Sequence, residues 1–231
     1  MEEQDSARSH RESPGRQPAH QLVIYGGGGH GKELIELVRA LDLYQLAGIV
    51  DDGLEAGSQV LGIPVLGDHR SLEDLWNRGI RMVINAVGGI GDLATRMQVC
   101  KRITDAGFRS PTLVHPSAVV EQSARLADGV QVLAHAYVGS DASIGYGVII
   151  NSAAIVSHDC VIGDYAGISP GALLAGEVEV GEGVQIGMGA TLNIGVRIGA
   201  GALIGNSAVV KRDVPANMNI HAGQIWPEPK G

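Results

Sequence analysis

Two groups of residues in this chain have types and spacings suited to chemistry, and the first is rich in glycine. The run Gly26–Gly31 reads GGGGHG and satisfies the pattern GxGxxG, and the acids Asp51 and Asp52 follow about twenty residues later. Glycine lets the backbone approach a ligand closely, and the N-terminus of a following helix favours an anion. An acid at that distance suits ribose hydroxyls. The pattern therefore predicts a site for the phosphate and ribose of a nucleotide.

The glycine run has more than one interpretation. Read literally, the pattern predicts NAD binding, since it stands between an apolar strand and an amphipathic helix. A tight glycine turn that holds no ligand is a second interpretation. We favour a third, a cradle for the phosphates of a nucleotide sugar, because the same backbone chemistry serves every nucleotide ligand.

The second group is the pair His158-Asp159, followed by Gly176 three hexads later in the repeat described next. Position four of that repeat holds Pro, Gln, Asp, Ala, Ser and Tyr among others, which indicates an outward-facing site. Histidine suits a general base, because its unperturbed pKa of about 6.5 lets it take a proton at neutral pH. On the residues alone, however, one outward histidine is more typical of an ordinary surface residue. His115 and His135 are interpreted as surface residues too.

The elements that carry this second group follow a six-residue period. From Leu113 to Val214 the chain divides into seventeen hexads without insertion. The second residue is always Val, Ile or Leu, and the sixth is always Ala, Val or Cys. A fixed short period predicts a solenoid, and six residues hold one short strand with these two positions facing inward. Three such sides make a triangular coil of eighteen residues, so His158 and Gly176 are expected to stack on one edge. Glycines at positions three and five are expected to form the corners.

The elements around the glycine run follow a different pattern. Apolar runs predict strands at Leu22–Tyr25, Leu46–Val50 and Met82–Ala86. Helices are predicted at Lys32–Leu41 and Asp92–Ala106. Residues 21–112 are therefore expected to form a small Rossmann-like α/β domain with a parallel sheet.

Composition limits the partners of this chain. The net charge of −8 and the pI of about 5.4 argue against nucleic acid as a general partner. No run is long and apolar enough to predict a membrane span. The first twenty residues lack the apolar core of a signal peptide and predict a disordered tail. Two scattered cysteines, Cys100 and Cys160, favour a reducing compartment, and we expect the protein to be cytoplasmic.

A glycine-rich α/β domain followed directly by hexapeptide repeats resembles the nucleotide-sugar N-acetyltransferases and sialic-acid O-acetyltransferases of bacterial surface-glycan pathways. The resemblance covers residues 22–214 and rests on stretches such as IYGGGGHGKELIE, GIVDD and SHDCVIGDYAGISPGALLAGEV. It implies a Rossmann-like domain at 21–112, a left-handed parallel β-helix at 113–214 and a capping tail at 215–231, after a disordered tail at 1–20. Trp226 is expected to pack on the last coil.

The resemblance also implies roles for individual residues. His158 becomes the general base, Asp159 the acid that polarises it, and the Gly176 N–H the donor that holds the thioester oxygen. Acetyl-CoA becomes the acyl donor, in a groove between the β-helices of a homotrimer, and no metal is expected. The acceptor is an amino or hydroxyl group of a nucleotide-linked sugar or sialic acid. The implied sugar-nucleotide ligands are Gly26, Gly27, Gly28, His30, Gly31, Asp51 and Asp52.

Two departures from the family pattern keep other functions open. Gly167 stands where many members carry a second histidine, and the terminal segment NIHAGQIWPEPKG differs from the usual ending. A non-catalytic module that binds a nucleotide sugar is therefore one alternative. A second is a zinc enzyme like the γ-class carbonic anhydrases, although the close histidine pair of that class is absent from the sequence.

Overall fold

A computed structural model describes residues 20–88 and 93–228. The predicted tail at 1–20 lies outside the described residues, apart from His20 at the start of the first strand. The α/β part has a five-stranded sheet in the order β3-β4-β2-β1-β5, parallel except for the edge pair β3–β4. Its elements are β1 (His20–Tyr25), α1 (Gly29–Leu41), β2 (Tyr44–Val50), β3 (Gln59–Val60), β4 (Ile63–Gly67), α2 (Ser71–Asn77), β5 (Met82–Asn85) and α3 (Leu93–Asp105).

Helix α1 packs on this sheet through an apolar stripe. Leu34, Ile35 and Val38 are buried together with Leu22 and Ile24 of β1, as the sequence pattern predicts. The helix begins at Gly29, three residues before the predicted start, because glycines rather than apolar residues form its first turn. β3, β4 and α2 were not predicted, since their apolar runs are short.

The hexads form a left-handed β-helix with three parallel sheets, and each hexad contributes one two-residue strand at its positions one and two. The junction sheet faces the α/β part and contains β6 (Leu113–Val114), β9 (Gln131–Val132), β12 (Ile149–Ile150), β15 (Gly167–Ile168), β18 (Gln185–Ile186), β21 (Leu203–Ile204) and β23 (Asn219–Ile220). The apolar sheet contains β7 (Val119–Val120), β10 (Tyr137–Val138), β13 (Ile155–Val156), β16 (Leu173–Leu174), β19 (Thr191–Leu192), β22 (Val209–Val210) and β24 (Ile225–Trp226). The charged sheet contains β8 (Arg125–Leu126), β11 (Ser143–Ile144), β14 (Val161–Ile162), β17 (Glu179–Val180) and β20 (Arg197–Ile198).

Positions two and six fill the interior of the β-helix, as predicted. Their side chains form one continuous buried cluster that runs from Val130 to Ile220. Trp226, on the last strand, packs against the end of this cluster, at the place expected for a cap. No helix in the described part of the chain is long and apolar enough to cross a membrane.

The glycines at positions three and five serve different purposes, which corrects the expectation that both form corners. Position five adopts positive φ, as at Gly129 (70°) and Gly147 (62°), and also at non-glycine residues such as Asp159 (58°). Position-three glycines do not adopt positive φ. Instead, a Cβ at Gly145 would lie 2.7 Å from the backbone nitrogen of Asp164 on the next coil. They are needed because successive coils approach too closely there for a side chain.

The α/β part docks on the junction sheet through buried polar contacts. Arg96 of α3 is 2 % exposed, and its guanidinium donates to the carbonyl oxygens of Tyr165 (3.1 Å) and Gly147. Burial lowers the pKa of Arg96 to about 10. The Gly129 N–H donates to the carbonyl of Ser110 at 2.9 Å. These contacts hold the glycine loop at a fixed position over the junction sheet.

Candidate functional site

The glycine loop joins β1 to α1 and leaves backbone exposed. Gly26 has φ of 117°, and a Cβ there would lie 3.0 Å from the carbonyl carbon of Ala86, which follows β5. A Cβ at Gly31 would collide with the Gly26 carbonyl oxygen. Around Gly28, the N-cap of α1, an added Cβ would meet no non-adjacent residue of the ranges 20–88 and 93–228 within 4 Å, and no side chain of these ranges caps the helix. Unsatisfied N–H groups at this end of α1 therefore face open space, where an anion can bind.

Asp51 holds the glycine loop from the end of β2. Its carboxylate accepts hydrogen bonds from the N–H groups of Gly27 (2.7 Å), Gly53 (2.8 Å) and Leu54 (3.0 Å). A carboxylate offers about four lone-pair sites, so about one remains for a ligand hydroxyl. Asp51 thus fixes the loop and keeps some capacity for binding.

Asp52 is fully occupied by protein donors. It accepts from the Tyr25 hydroxyl (3.0 Å), Arg102 (2.9 Å), and the backbone and ring of His69 (2.9 Å each). Burial acts to raise the pKa of Asp52, but the hydrogen bonds from His69 and Tyr25 outweigh it and lower that pKa. Burial and the bond to Asp52 raise the pKa of Tyr25 to about 12. Asp52 therefore ties the loop after β2 to β1 and α3.

His30 joins the glycine loop to the β-helix. Its Nε2 lies 2.7 Å from Oε1 of Gln131 on the junction sheet, and its Nδ1 lies 3.0 Å from Oε2 of Glu33. The Gln131 Nε2 donates to the carbonyl of Asn85 (2.7 Å), so its Oε1 is an acceptor. Both ring nitrogens of His30 therefore lie within hydrogen-bond distance of side-chain oxygens, and the bond to His30 lowers the pKa of Glu33.

A cavity of about 290 Å³ lies between the glycine loop and the junction sheet. His30 and Arg96 line it from the α/β part, and Gly167, Ser169 and Gln185 line it from the β-helix. Gly167, the position where the resemblance implies a second histidine, therefore lies in this cavity. Gln185 was missed at the sequence level, because position one of a hexad faces outward and becomes buried only where the α/β part covers the sheet.

His158 and Asp159 lie at the corner between the apolar and charged sheets. Nδ1 of His158 is 2.8 Å from Oδ2 of Asp159, and both side chains are 56 % exposed. Asp159 occupies the positive-φ position five, and its N–H donates to the carbonyl of Ser140 on the preceding coil (2.9 Å). An Nδ1–H that donates to the carboxylate leaves Nε2 with a lone pair, as a general base requires.

Gly176 lies one coil beyond His158 on the same edge. The Glu177 N–H donates to the His158 carbonyl (3.0 Å), which keeps the two coils in register. A Cβ at Gly176 would lie 2.5 Å from Nε2 of His158, so only a glycine leaves room for the ring. The Gly176 N–H donates to no acceptor within residues 20–88 and 93–228. It is therefore free to bind a developing negative charge.

The residues of the glycine-loop group lie close to one another, and so do His158, Asp159 and Gly176. The two groups, however, lie far apart in one chain. The corner that carries His158 is the vertex opposite the junction sheet in the triangular coil. The cavity beside His30 is on the junction sheet itself, and His158 does not line it. Within one chain, the base and the glycine loop are thus on opposite sides of the β-helix.

The remaining histidines of the repeat are elsewhere. His115 and His135 belong to the corner between the junction and apolar sheets, so they do not meet His158. Across the described residues, no group of three or more His, Cys, Asp or Glu side chains could hold a metal ion.

The chain is similar to known proteins in its α/β part and over longer stretches. Residues 21–103 match the family model of the PglD N-terminal domain. A curated relative, UDP-N-acetylbacillosamine N-acetyltransferase from Bacillus subtilis, is 35 % identical over 116 residues, which are 49 % of this chain and 51 % of that protein. The match therefore spans about half the length of this curated relative.

Solved structures match over nearly their whole length. PerB from Caulobacter crescentus, determined with CoA and GDP-perosamine, has a TM-score of 0.82 and 40 % identity over 91 % of this chain and 97 % of its own. The acetyltransferase domain of PglB from Neisseria gonorrhoeae, determined with acetyl coenzyme A, has a TM-score of 0.81 and 35 % identity over 89 % of this chain and 98 % of its own. The chain belongs to the hexapeptide-repeat family of sugar acetyltransferases.

Proposed function

We propose that this protein transfers the acetyl group of acetyl-CoA to an amino group of a nucleotide-linked sugar. The observation that carries the proposal is the arrangement of His158, held at Nδ1 by Asp159, with its ring over the bare Gly176. The relatives are named N-acetyltransferases or were determined with CoA and a GDP-sugar, which favours an amine over a hydroxyl as the acceptor.

The reaction is a direct acyl transfer. Nε2 of His158 takes a proton from the acceptor nitrogen as that nitrogen attacks the thioester carbonyl carbon. An N–C bond forms, the C–S bond breaks, and CoA leaves as the thiolate, which takes up a proton. The free Gly176 N–H stabilises the negative charge that develops on the carbonyl oxygen.

The nucleotide part of the acceptor binds at the α/β part, residues 21–112. Its phosphates lie at the N-terminus of α1 against Gly26, Gly27, Gly28 and Gly31, beside the ring of His30. Asp51 contacts ribose with its remaining lone pair, and Asp52 acts by holding the loop that carries Asp51.

The protein acts as a homotrimer. Position one of the apolar sheet forms an exposed apolar column, in which Val119 is 53 % and Leu173 is 42 % exposed. Such a face is typical of a subunit interface. In a cyclic trimer, the His158 corner at the edge of this sheet would meet the cavity of the next chain, which joins the two half-sites.

We place the reaction in the cytoplasm, in line with the two cysteines. Cys100 and Cys160 are both buried as free thiols, and burial raises the pKa of each. Free thiols suit a reducing compartment.

The experiment is a thiol-release assay with acetyl-CoA and a panel of UDP- and GDP-linked amino sugars. His158→Ala should lower kcat by at least roughly 100-fold, the usual contribution of a general base. His221→Ala, an exposed histidine on the last coil, is the matched control and should retain activity. Wild-type protein that binds nucleotide sugars but releases no thiol would instead identify a non-catalytic binding module.

A further inference from the structure

Two glutamines at position one of the junction sheet are buried, although this position faces outward elsewhere. Gln131 is 2 % exposed and Gln185 is 8 % exposed. Both lie in the same column of the sheet, where Gln185 pairs directly with Gly167 of the neighbouring strand. A carboxamide atom that is fully buried is costly unless it is hydrogen-bonded, and no such atom in the described residues lacks a partner, so any unbonded carboxamide atom of these glutamines faces accessible space.

Gln131 uses its carboxamide within the protein. Its Oε1 bonds the ring of His30, and its Nε2 donates to the carbonyl of Asn85, both at 2.7 Å. This side chain is a structural link between the β-helix and the glycine loop.

Gln185 does not use its carboxamide in this way. Its Nε2 makes a long contact of 3.4 Å to the Gly183 carbonyl, and its Oε1 accepts from no residue within the described ranges. The side chain extends across the bare Gly167, where an added Cβ would fall on Oε1 of Gln185. The carboxamide therefore occupies the space that a side chain at 167 would take, and it borders the cavity with hydrogen-bonding capacity unused.

The cavity has the size and lining for one sugar ring. Its volume of about 290 Å³ is just below the usual range for ligand sites of about 300–1,000 Å³, as suits a single small ring. His30, from the loop proposed to hold the phosphates, lies on one wall, and Gln185 and Ser169 lie on another. A sugar attached to those phosphates would enter beside Gln185. A sugar hydroxyl both donates and accepts, so it matches a carboxamide.

We propose that the Gln185 carboxamide hydrogen-bonds a hydroxyl of the acceptor sugar and so positions that sugar and helps to select it. Gly167 lacks a side chain so that Gln185 can reach this position. This inference rests on the proposed function, because it places the sugar of the nucleotide sugar in the cavity.

The test compares wild type with Gln185→Met, which keeps an unbranched side chain of similar length but removes both hydrogen-bonding groups. The KM for the nucleotide sugar should rise roughly tenfold, the worth of about one hydrogen bond. The KM for acetyl-CoA and the calorimetric Kd of the nucleoside diphosphate alone should not change. Asn219→Ala, an exposed residue in the same column, is the control and should behave as wild type.

A panel of deoxy sugar nucleotides identifies the hydroxyl. One deoxy analogue should bind wild type roughly tenfold more weakly than the parent does, yet bind Gln185→Met as well as the parent does. An unchanged KM in Gln185→Met, or an equal loss of affinity for the nucleoside diphosphate, would overturn the inference.

The experiments distinguish a failure of the proposed function from a failure of this inference. If wild type binds the nucleotide sugar more tightly than the nucleoside diphosphate, but Gln185→Met abolishes that difference and no acetyl transfer occurs, only the proposed function fails. If transfer occurs and Gln185→Met has normal constants, only the inference fails. If the sugar adds nothing to binding, the inference is wrong as well.

Discussion

The corner that carries His158 and the junction that carries His30 are built in different ways. At the corner, backbone hydrogen bonds between successive coils fix the residues, and both His158 and Asp159 remain 56 % exposed. At the junction, buried side chains from two parts of the chain meet, and Arg96 and Gln131 are each 2 % exposed. The repeat alone can thus supply a positioned base, but a ligand cavity requires a second unit that covers one sheet.

The two regions also differ in how well they exclude water from a bound substrate. A base that remains half exposed in one chain has no wall to exclude water from the reacting atoms. The cavity has walls, but both ring nitrogens of its histidine, His30, are engaged by Glu33 and Gln131, so that ring has no free nitrogen to act as a base. In the proposed trimer, the corner of one chain would supply the base and the junction of its neighbour would supply the walls.

The largest expected effect tests the corner. Gly176→Ala places a Cβ 2.5 Å from Nε2 of His158, so the ring must leave its position beside Asp159. We expect kcat to fall by at least roughly 100-fold, as for loss of the base itself, with little change in the KM for the nucleotide sugar. Steady-state thiol release measures both constants.

Gly195→Ala is the control for this substitution. Gly195 lies on the same edge one coil later and has φ of 69°, and an added Cβ there would meet no non-adjacent residue of the described part of the chain within 4 Å. It should cost roughly 1–2 kcal/mol of stability through backbone strain and leave kcat near normal. Equal losses of kcat in the two variants would show that the edge responds to any substitution, against the role given to Gly176.

The next effect tests the junction. Gly28→Asp adds a favourable N-cap to α1 but brings a negative charge to the proposed phosphate position. The protein should melt no lower than wild type, while the calorimetric Kd of the nucleotide sugar rises roughly 10–100-fold.

Gly28→Asn separates charge from bulk in this test, because asparagine caps equally well without the charge. It should bind more tightly than Gly28→Asp. Tight nucleotide-sugar binding by Gly28→Asp would remove the N-terminus of α1 from the site.

The smallest expected effect is on thermal stability, through the hydrogen bonds by which Asp52 ties the loop after β2 to β1 and α3. Its pKa is lowered in the folded protein, so its contribution to stability is complete above the unfolded value of about 3.9 and is lost as pH falls through the folded value. Asp52→Asn should therefore lower Tm at pH 7, and its Tm should approach that of wild type as the pH falls below about 4.

Thermal melts from pH 7 to pH 3 measure this effect. Asp105→Asn breaks an exposed pair with Lys101 and serves as the control, with a small change at every pH. A Tm difference for Asp52→Asn that does not vary with pH would contradict the role given to its ionised form.

The sequence was sufficient for the repeat but only partly for the site. The buried column could be predicted from Val, Ile and Leu at position two and small residues at position six. The interior of a narrow coil accepts only such side chains, so the pattern is visible in the sequence. The glycines at position three were misinterpreted. Glycine is needed at these positions because the next coil approaches closely, as Asp164 does at Gly145. The residues of a single hexad do not reveal this approach.

The two half-sites were predicted to different degrees. His158, Asp159 and Gly176 share an edge because three hexads make one coil, and this spacing can be counted from the sequence. Gln185 has no such signal, since position one is exposed wherever the α/β part does not cover it. Its burial depends on how that part docks through Arg96, which local patterns do not encode.

The most direct test of the central claim, that a complete site takes one half from each of two neighbouring chains, is complementation in mixed oligomers. His158→Ala and Gly28→Asp chains with different tags are co-expressed, and assemblies that carry both tags are purified and assayed for thiol release. Assayed below the wild-type KM for the nucleotide sugar, His158→Ala alone should be nearly inactive and Gly28→Asp alone should be slowed roughly 10–100-fold, whereas a mixed cyclic trimer should regain about one working site in three. Mixed assemblies as inactive as the separate variants would show that base and glycine loop must come from the same chain, which would contradict the account.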